Sequence, residues 1–149
     1  MNTKIEHSYF FPQPPELVWD YLTKAELMEL WLMKNDFLPI VGYDFQFNTK
    51  PMPQFDLDGI FYCKVLEIVP FKKLVYSWKS GPGNGKITID SLVEWTLHPK
   101  EEGTELLLVH SGFKEADFTI FNAMNGGWLQ NIQKIATLLN TAQHGTTNT

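Results

Sequence analysis

Ile87-Thr88-Ile89-Asp90-Ser91-Leu92-Val93-Glu94-Trp95-Thr96-Leu97-His98-Pro99-Lys100-Glu101-Glu102-Gly103-Thr104-Glu105-Leu106-Leu107-Leu108-Val109-His110-Ser111-Gly112-Phe113 decides the fold. In its first half Val93, Trp95 and Leu97 alternate with Glu94 and Thr96; in its second, Leu106, Leu108 and His110 alternate with Leu107 and Val109. A period of two is the signature of a strand that turns one face to a core. Pro99–Gly103 supplies the turn, so Ile87–Leu97 and Thr104–Phe113 are predicted to pair as an antiparallel hairpin.

Downstream the period lengthens. Phe121, Met124, Trp128, Ile132, Ile135 and Leu139 recur at helical spacing, predicting a long helix near 117–140. Gly126-Gly127 interrupts it at a cost of about 2 kcal/mol relative to Ala. Either the helix starts after the pair, or the glycines admit a close backbone approach. Thr141–Thr149 is polar and expected to fray.

Upstream, the period of two reaches back to Gly42. Strands are predicted at Leu74–Lys79, Ile60–Ile68 and around Tyr43, Phe45 and Phe47, whose aromatic face alternates with Asp44, Gln46 and Asn48. Ser80–Gly85 is expected to be an exposed, flexible connection. Asp56–Gly59 reads as a turn, and Lys50–Pro53 as a break. Residues 3–11 read as a further strand, stopped by Pro12. Pro14 and Pro15 suit the start of a helix over Glu16–Leu22, with Leu17, Val18, Tyr21 and Leu22 as its apolar stripe. Thr23-Lys24-Ala25-Glu26 has the form of a capping box. It predicts a second short helix to about Met33, with Leu27, Leu30 and Trp31 inward. Strand, two short helices, about five more strands and a long helix make an α+β domain.

The 149 residues carry a net charge of −5, with 44% hydrophobic and 19% charged residues, which fits one globular domain over 1–149. All twelve basic residues are Lys. Without Arg forks or a basic face, nucleic-acid binding is a poor match, as is any phosphate-bearing ligand. Eleven Phe, five Trp and five Tyr point instead to an aromatic interior. Leu106–Val109 is the longest aliphatic run, far short of the ~20 residues of a membrane span. The first seven residues lack the apolar core of a secretory signal. Cys63 is alone and forms no intrachain disulfide. A cytoplasmic protein is expected.

Motifs for chemistry are mostly missing. His7, His98, His110 and His144 include no pair at the spacing of metal ligands on one helix face. Ser111 lacks the flanking glycines of a nucleophile elbow. Gly81–Lys86 lacks the first Gly and the Ser/Thr of a phosphate loop. No metal, cofactor or catalytic residue is therefore expected. Glu67 and Glu94 are the candidate acids, Glu67 more simply as an ion-pair partner of Lys64 or Lys79. The favoured reading of His110 is a core histidine satisfied by a backbone carbonyl or a Trp.

The ordered set Pro15-Glu16-Leu17-Val18-Trp19, Glu29-Leu30-Trp31, Val65–Pro70, Leu74–Trp78, Gly103–Leu106, His110–Phe113 and Gly127-Trp128 resembles the SRPBCC superfamily. Within it, the chain is similar to the branch containing the C-terminal domain of the activator of heat-shock protein 90 ATPase, over residues 3 to about 140. The resemblance implies a helix-grip fold, in which a curved antiparallel sheet wraps a long C-terminal helix around an apolar pocket. Pro39–Tyr43 departs from the Gly-Gly pair of many relatives, and Lys50–Asp58 is a long stretch positioned to reshape the pocket mouth.

On that fold, the wall of the pocket is expected to comprise Trp31, Tyr43, Phe45, Phe47, Tyr76, Trp78, Val93, Trp95, Leu106, Leu108, His110, Met124, Trp128 and Ile132, with Met33 and Met52 near the opening. The expected function is non-catalytic binding, transport or sensing of an apolar, aromatic or lipid-like small molecule by a monomer or weak dimer. The resemblance implies two alternatives. One is a chaperone-associated module with a weak chaperone contact and a place in the stress response. The other is a cyclase or dehydratase acting on an aromatic substrate.

Overall fold

The computed structural model describes residues 4–147, with side-chain surroundings to residue 141. Seven strands form one antiparallel sheet in the order β1-β7-β6-β5-β4-β3-β2. They are β1 (Lys4–Phe11), β2 (Lys34–Asn35), β3 (Asp44–Asn48), β4 (Ile60–Val69), β5 (Lys73–Ser80), β6 (Ile89–Lys100) and β7 (Gly103–Ser111). Helices α1 (Pro15–Thr23) and α2 (Ala25–Trp31) come after β1, and α3 (Phe118–Thr147) closes the chain. From β2 onward each strand pairs with the next, whereas β1 returns to pair with β7 along its whole length. The α+β helix-grip architecture stands, with β2 as a seventh strand of two residues.

The hairpin at the centre is longer than its pattern suggested. Pro99 and Lys100 still pair with Thr104 and Gly103, so only Glu101 and Glu102 make the turn. Its inner face carries Val93, Trp95, Leu97, Leu106, Leu108 and His110, all buried. At the other end β6 begins at Ile89, and Ile87 and Thr88 stay outside the strand. The connection before it is anchored: Ser80 is buried, and the Gly81 carbonyl accepts the Asp58 N–H at 2.8 Å.

Several local expectations in the helices are corrected. Thr23 caps nothing; it is the last residue of α1, and its hydroxyl donates to the Trp19 carbonyl at 2.8 Å. Lys24 is the N-cap of α2, which ends at Trp31 rather than Met33. In α2 Met28 and Trp31 are buried while Leu30 is exposed, and in α1 Leu17 is exposed. Helix α3 runs through Gly126-Gly127, and a Cβ on either would meet nothing within 4 Å, so neither account of the pair holds. Its bounds reach Thr147, and residues 1–3, 148 and 149 lie outside the described residues.

A bulge in β4 settles Glu67. Val65 pairs with Tyr76 and Glu67 with Val75, so Leu66 is an extra residue that reverses the facing of the strand beyond it. Glu67 thus leaves the face of Cys63 and Val65 and turns outward to Lys73 at 3.5 Å. Lys64 and Lys79 pair with Asp44 and Asp90 instead. These exposed pairs contribute little to stability.

Candidate ligand cavity

Aromatic rings fill most of the space between sheet and α3. Trp31 meets Trp95 edge-on at 5.8 Å, Trp95 meets Trp128 at 5.5 Å, and Trp128 meets Trp78 at 5.4 Å. Trp78 lies against Phe61 and Phe47, and Phe45 packs on Phe47, Phe37 and Tyr76. Such ring pairs add to the burial energy of the rings themselves.

Beside this cluster remains a cavity of about 280 Å³. Helix α3 presents Ile120, Ala123, Met124, Gly127, Trp128 and Asn131 to it. Phe61 of β4 and Trp78 of β5 lie opposite, with Leu32 and Met33 just after α2. The remaining wall, Thr49, Met52 and Phe55, comes from the segment between β3 and β4, the stretch singled out for the mouth. Among the described residues, no charged side chain lines the cavity. Phe55 and Ile120 also border a second, more polar hollow of about 650 Å³ beside Asp56, Lys114 and Asp117.

Of the expected wall residues, Trp78, Met124 and Trp128 line this cavity, as do Met33 and Met52. Trp31, Phe45, Phe47, Tyr76, Val93, Trp95, Leu106, Leu108, His110 and Ile132 are buried core, and Tyr43 is half-buried against its edge. Leu32, Thr49, Phe55, Phe61, Ile120, Ala123, Gly127 and Asn131 were not anticipated. Their one sequence signal lies on α3. Residues 120, 123, 124, 127, 128 and 131 form a helical stripe one position off the main apolar one, and its small members, Ala123 and Gly127, leave the notch.

His110 is fully buried and both ring nitrogens are engaged. The Trp128 indole N–H donates to Nδ1 at 3.0 Å, and Nε2 lies 2.8 Å from the Ser91 hydroxyl, which donates to the Trp78 carbonyl at 2.7 Å. An indole only donates, so Nδ1 is the acceptor and the proton sits on Nε2. The serine spends its one hydrogen on Trp78 and therefore accepts from Nε2. This chain fixes the tautomer and pins the ring of Trp128 at the cavity wall. Burial pushes the His110 pKa down to about 3, because imidazolium loses its hydration there. With both nitrogens occupied, His110 has no lone pair to offer a substrate. It matches the core histidine with a Trp partner favoured from sequence.

Burial also raises the Cys63 thiol and the Tyr76 phenol far above their ordinary values, so neither ionises near neutrality. The Tyr76 hydroxyl accepts the Trp95 indole N–H at 3.0 Å. Glu67 and Glu94 stand together on the outer surface around Lys73, away from the cavity. Among the described residues, no three His, Cys, Asp or Glu side chains group as metal ligands do. No helix among them is long and apolar enough to cross a membrane.

The same fold recurs in solved proteins. Protein MLL2253 of Mesorhizobium loti is 33% identical over 93% of this chain and 97% of its own, with a TM-score of 0.83. The Aha1 dimer of Colwellia psychrerythraea is 20% identical over 91% of this chain and 94% of its own, at 0.71. CalU16 of Micromonospora echinospora is 21% identical over 90% and 74%, at 0.70. The last two likenesses concern the fold alone. No curated protein matches the chain. The model for "Activator of Hsp90 ATPase homolog 1-like protein" matches residues 12–140, including α1, the sheet from β2 to β7 and the cavity-lining part of α3, and the chain belongs to that family.

Proposed function

We propose that the protein binds a small, uncharged, apolar molecule, aromatic or lipid-like, between α3 and the sheet, and carries or senses it without transforming it. The observation that carries this reading is an apolar cavity with no charged wall residue, backed by a histidine whose two nitrogens are already spent. Burying ~150 Å² of ligand surface there contributes about 4 kcal/mol before the entropic cost of binding. The three methionines around the cavity adapt to ligands of varied outline. A cyclase or dehydratase needs an inward acid or base, and His110, Glu67 and Glu94 do not supply one. A chaperone-associated role rests on family membership alone. The reading takes the protein as cytoplasmic and as a monomer or weak dimer, the latter supported by the dimer of the Colwellia relative.

Gly127 allows a direct test, because a Cβ there meets nothing within 4 Å and the residue lines the cavity. Titration with the neutral fluorophore N-phenyl-1-naphthylamine is expected to saturate at one molecule per chain. Gly127→Leu is expected to weaken it by tenfold or more, a loss of ~1.4 kcal/mol or greater, with the urea midpoint no lower than that of the parent. Equal affinity for parent and variant contradicts the reading.

A further inference from the structure

Four tryptophans are almost fully buried: Trp31, Trp78, Trp95 and Trp128. A buried indole N–H without an acceptor is costly, so such groups are nearly always paired. Three of the four are. Trp31 donates to the Tyr21 carbonyl at 2.8 Å, Trp95 to the Tyr76 hydroxyl at 3.0 Å, and Trp128 to His110 Nδ1 at 3.0 Å. Trp78 Nε1 has no partner among the described residues, although the side chain is only 2% exposed. Of the four, Trp78 and Trp128 line the cavity, and only Trp128 has its N–H satisfied. Two residues further along the same inner face of β5, the buried Ser80 hydroxyl is likewise unpartnered.

The rings around Trp78 explain why the protein itself does not satisfy this donor. Phe61 and Phe47 lie against its ring at 4.7 and 5.2 Å and contribute no acceptor. His110 is 5.5 Å away between ring centroids, with its single lone pair taken by Trp128. The rings packed against Trp78 leave it no acceptor, and neither Thr49 nor Asn131 of the same cavity wall bonds to it, in a chain that pairs its three other almost fully buried indoles.

We infer that the molecule held in the cavity carries an uncharged hydrogen-bond acceptor, a ketone, ether or ring-nitrogen type of group set in an apolar frame, and that Trp78 Nε1–H is the donor that orients it. The inference rests on the cavity being a ligand site. An anionic acceptor does not fit, because no cation lines the cavity and a buried, unpaired carboxylate is costly. Nε1 is itself covered in this packing, so a ligand reaches it by displacing a neighbouring side chain. Met33, Met52 and Met124 are the flexible ones at hand. Trp78 is thus a positioning residue for binding, with the apolar walls supplying most of the affinity.

The test compares 9-fluorenone with fluorene, which share one flat tricyclic frame and differ by a carbonyl in place of a methylene. Binding is followed by the indole N–H and methionine methyl resonances of the full chain, the Trp78 signal being assigned by its loss in Trp78→Phe. Fluorenone is expected to bind roughly two- to tenfold more tightly, the span of a net hydrogen bond, and it alone moves the Trp78 indole proton downfield. In Trp78→Phe the preference is expected to vanish while both compounds still bind. If both move the methyls of Met33, Met52 and Met124 with equal affinity and the Trp78 N–H stays put, the acceptor is refuted and the cavity reading survives. If neither moves those methyls, both readings fall. Should Trp78→Phe not fold, the two compounds on the unaltered protein still decide, since the affinity ratio is read there and the Trp78 indole signal is then assigned by through-bond and NOE connectivities to its own backbone.

Discussion

Acidification to pH 5 is expected to weaken the native state at one identifiable position, His110. In the unfolded chain its imidazole titrates near the ordinary 6.5, whereas in the fold its pKa is about 3. Between these values the unfolded state binds a proton that the native state refuses, so the contribution is fully present above pH 6.5 and is lost as pH falls toward 3. Linkage with these two values gives a loss of about 2 kcal/mol between pH 7 and pH 5. That window lies above the ordinary range of carboxylates, so their titration intrudes little. Urea melts at half-unit steps, run on the parent and on His110→Gln, isolate the contribution by difference. Glutamine retains an acceptor for Trp128 or a donor for Ser91 and does not titrate. It lowers overall stability by about 1–3 kcal/mol, because one neighbour goes unpaired, yet its stability is expected to change less with pH. Parallel curves for the two proteins refute the argument. So does an NMR titration of the parent in which the His110 ring protonates above pH 6, and that measurement does not depend on the variant folding.

Phe45→Ala is expected to cost about 3–5 kcal/mol in urea, as for other large-to-small core changes, while the folded fraction still binds N-phenyl-1-naphthylamine with parental affinity. A stability loss below ~1 kcal/mol, or a matching loss of binding, would return Phe45 to the cavity wall. Gly126→Ala is expected to stabilise the protein by about 1 kcal/mol. The gain comes from an exposed glycine inside α3 whose added methyl meets nothing, and calorimetry should show a Tm higher by ~2–5 °C. A lower Tm argues against a continuous helix at that position.

The strands and α3 were legible because their apolar residues keep strict periods: Val93-Trp95-Leu97 and Leu106-Leu108-His110 turn inward as alternation requires. The errors came where the period does not decide the facing. Leu66 in the β4 bulge reverses Glu67, and in α2 the face turned inward is that of Met28 and Trp31 rather than of Leu30, a choice made by what the helix packs on. Periodicity alone carries no trace of either. The site was harder to read than the fold. Alternation tells which side chains face inward, but whether the inward volume is filled depends on how rings from four elements stack, and Trp78, Trp95, Trp128 and Phe47 fill most of it. The residual space lies where Ala123 and Gly127 are small and where the 49–55 segment arches over. Small residues one position off an apolar stripe are a faint signal beside five tryptophans.

The pairing of β1 with β7 has a consequence for how the chain is made. Lys4 meets Ser111 and Phe11 meets Thr104, so β1 waits for β7, the last strand of the sheet in chain order, before its hydrogen bonds close. On the ribosome, β2 to β6 can zip neighbour to neighbour as they emerge, whereas β1, with Ile5 and Phe11 destined for the core, has no edge to join. Closing that distant contact makes the topology slow to fold, and until it closes, apolar surface on both partners is open to other chains. The interval between the emergence of β1 and of β7 is the period in which a nascent chain of this family is most exposed to misassociation.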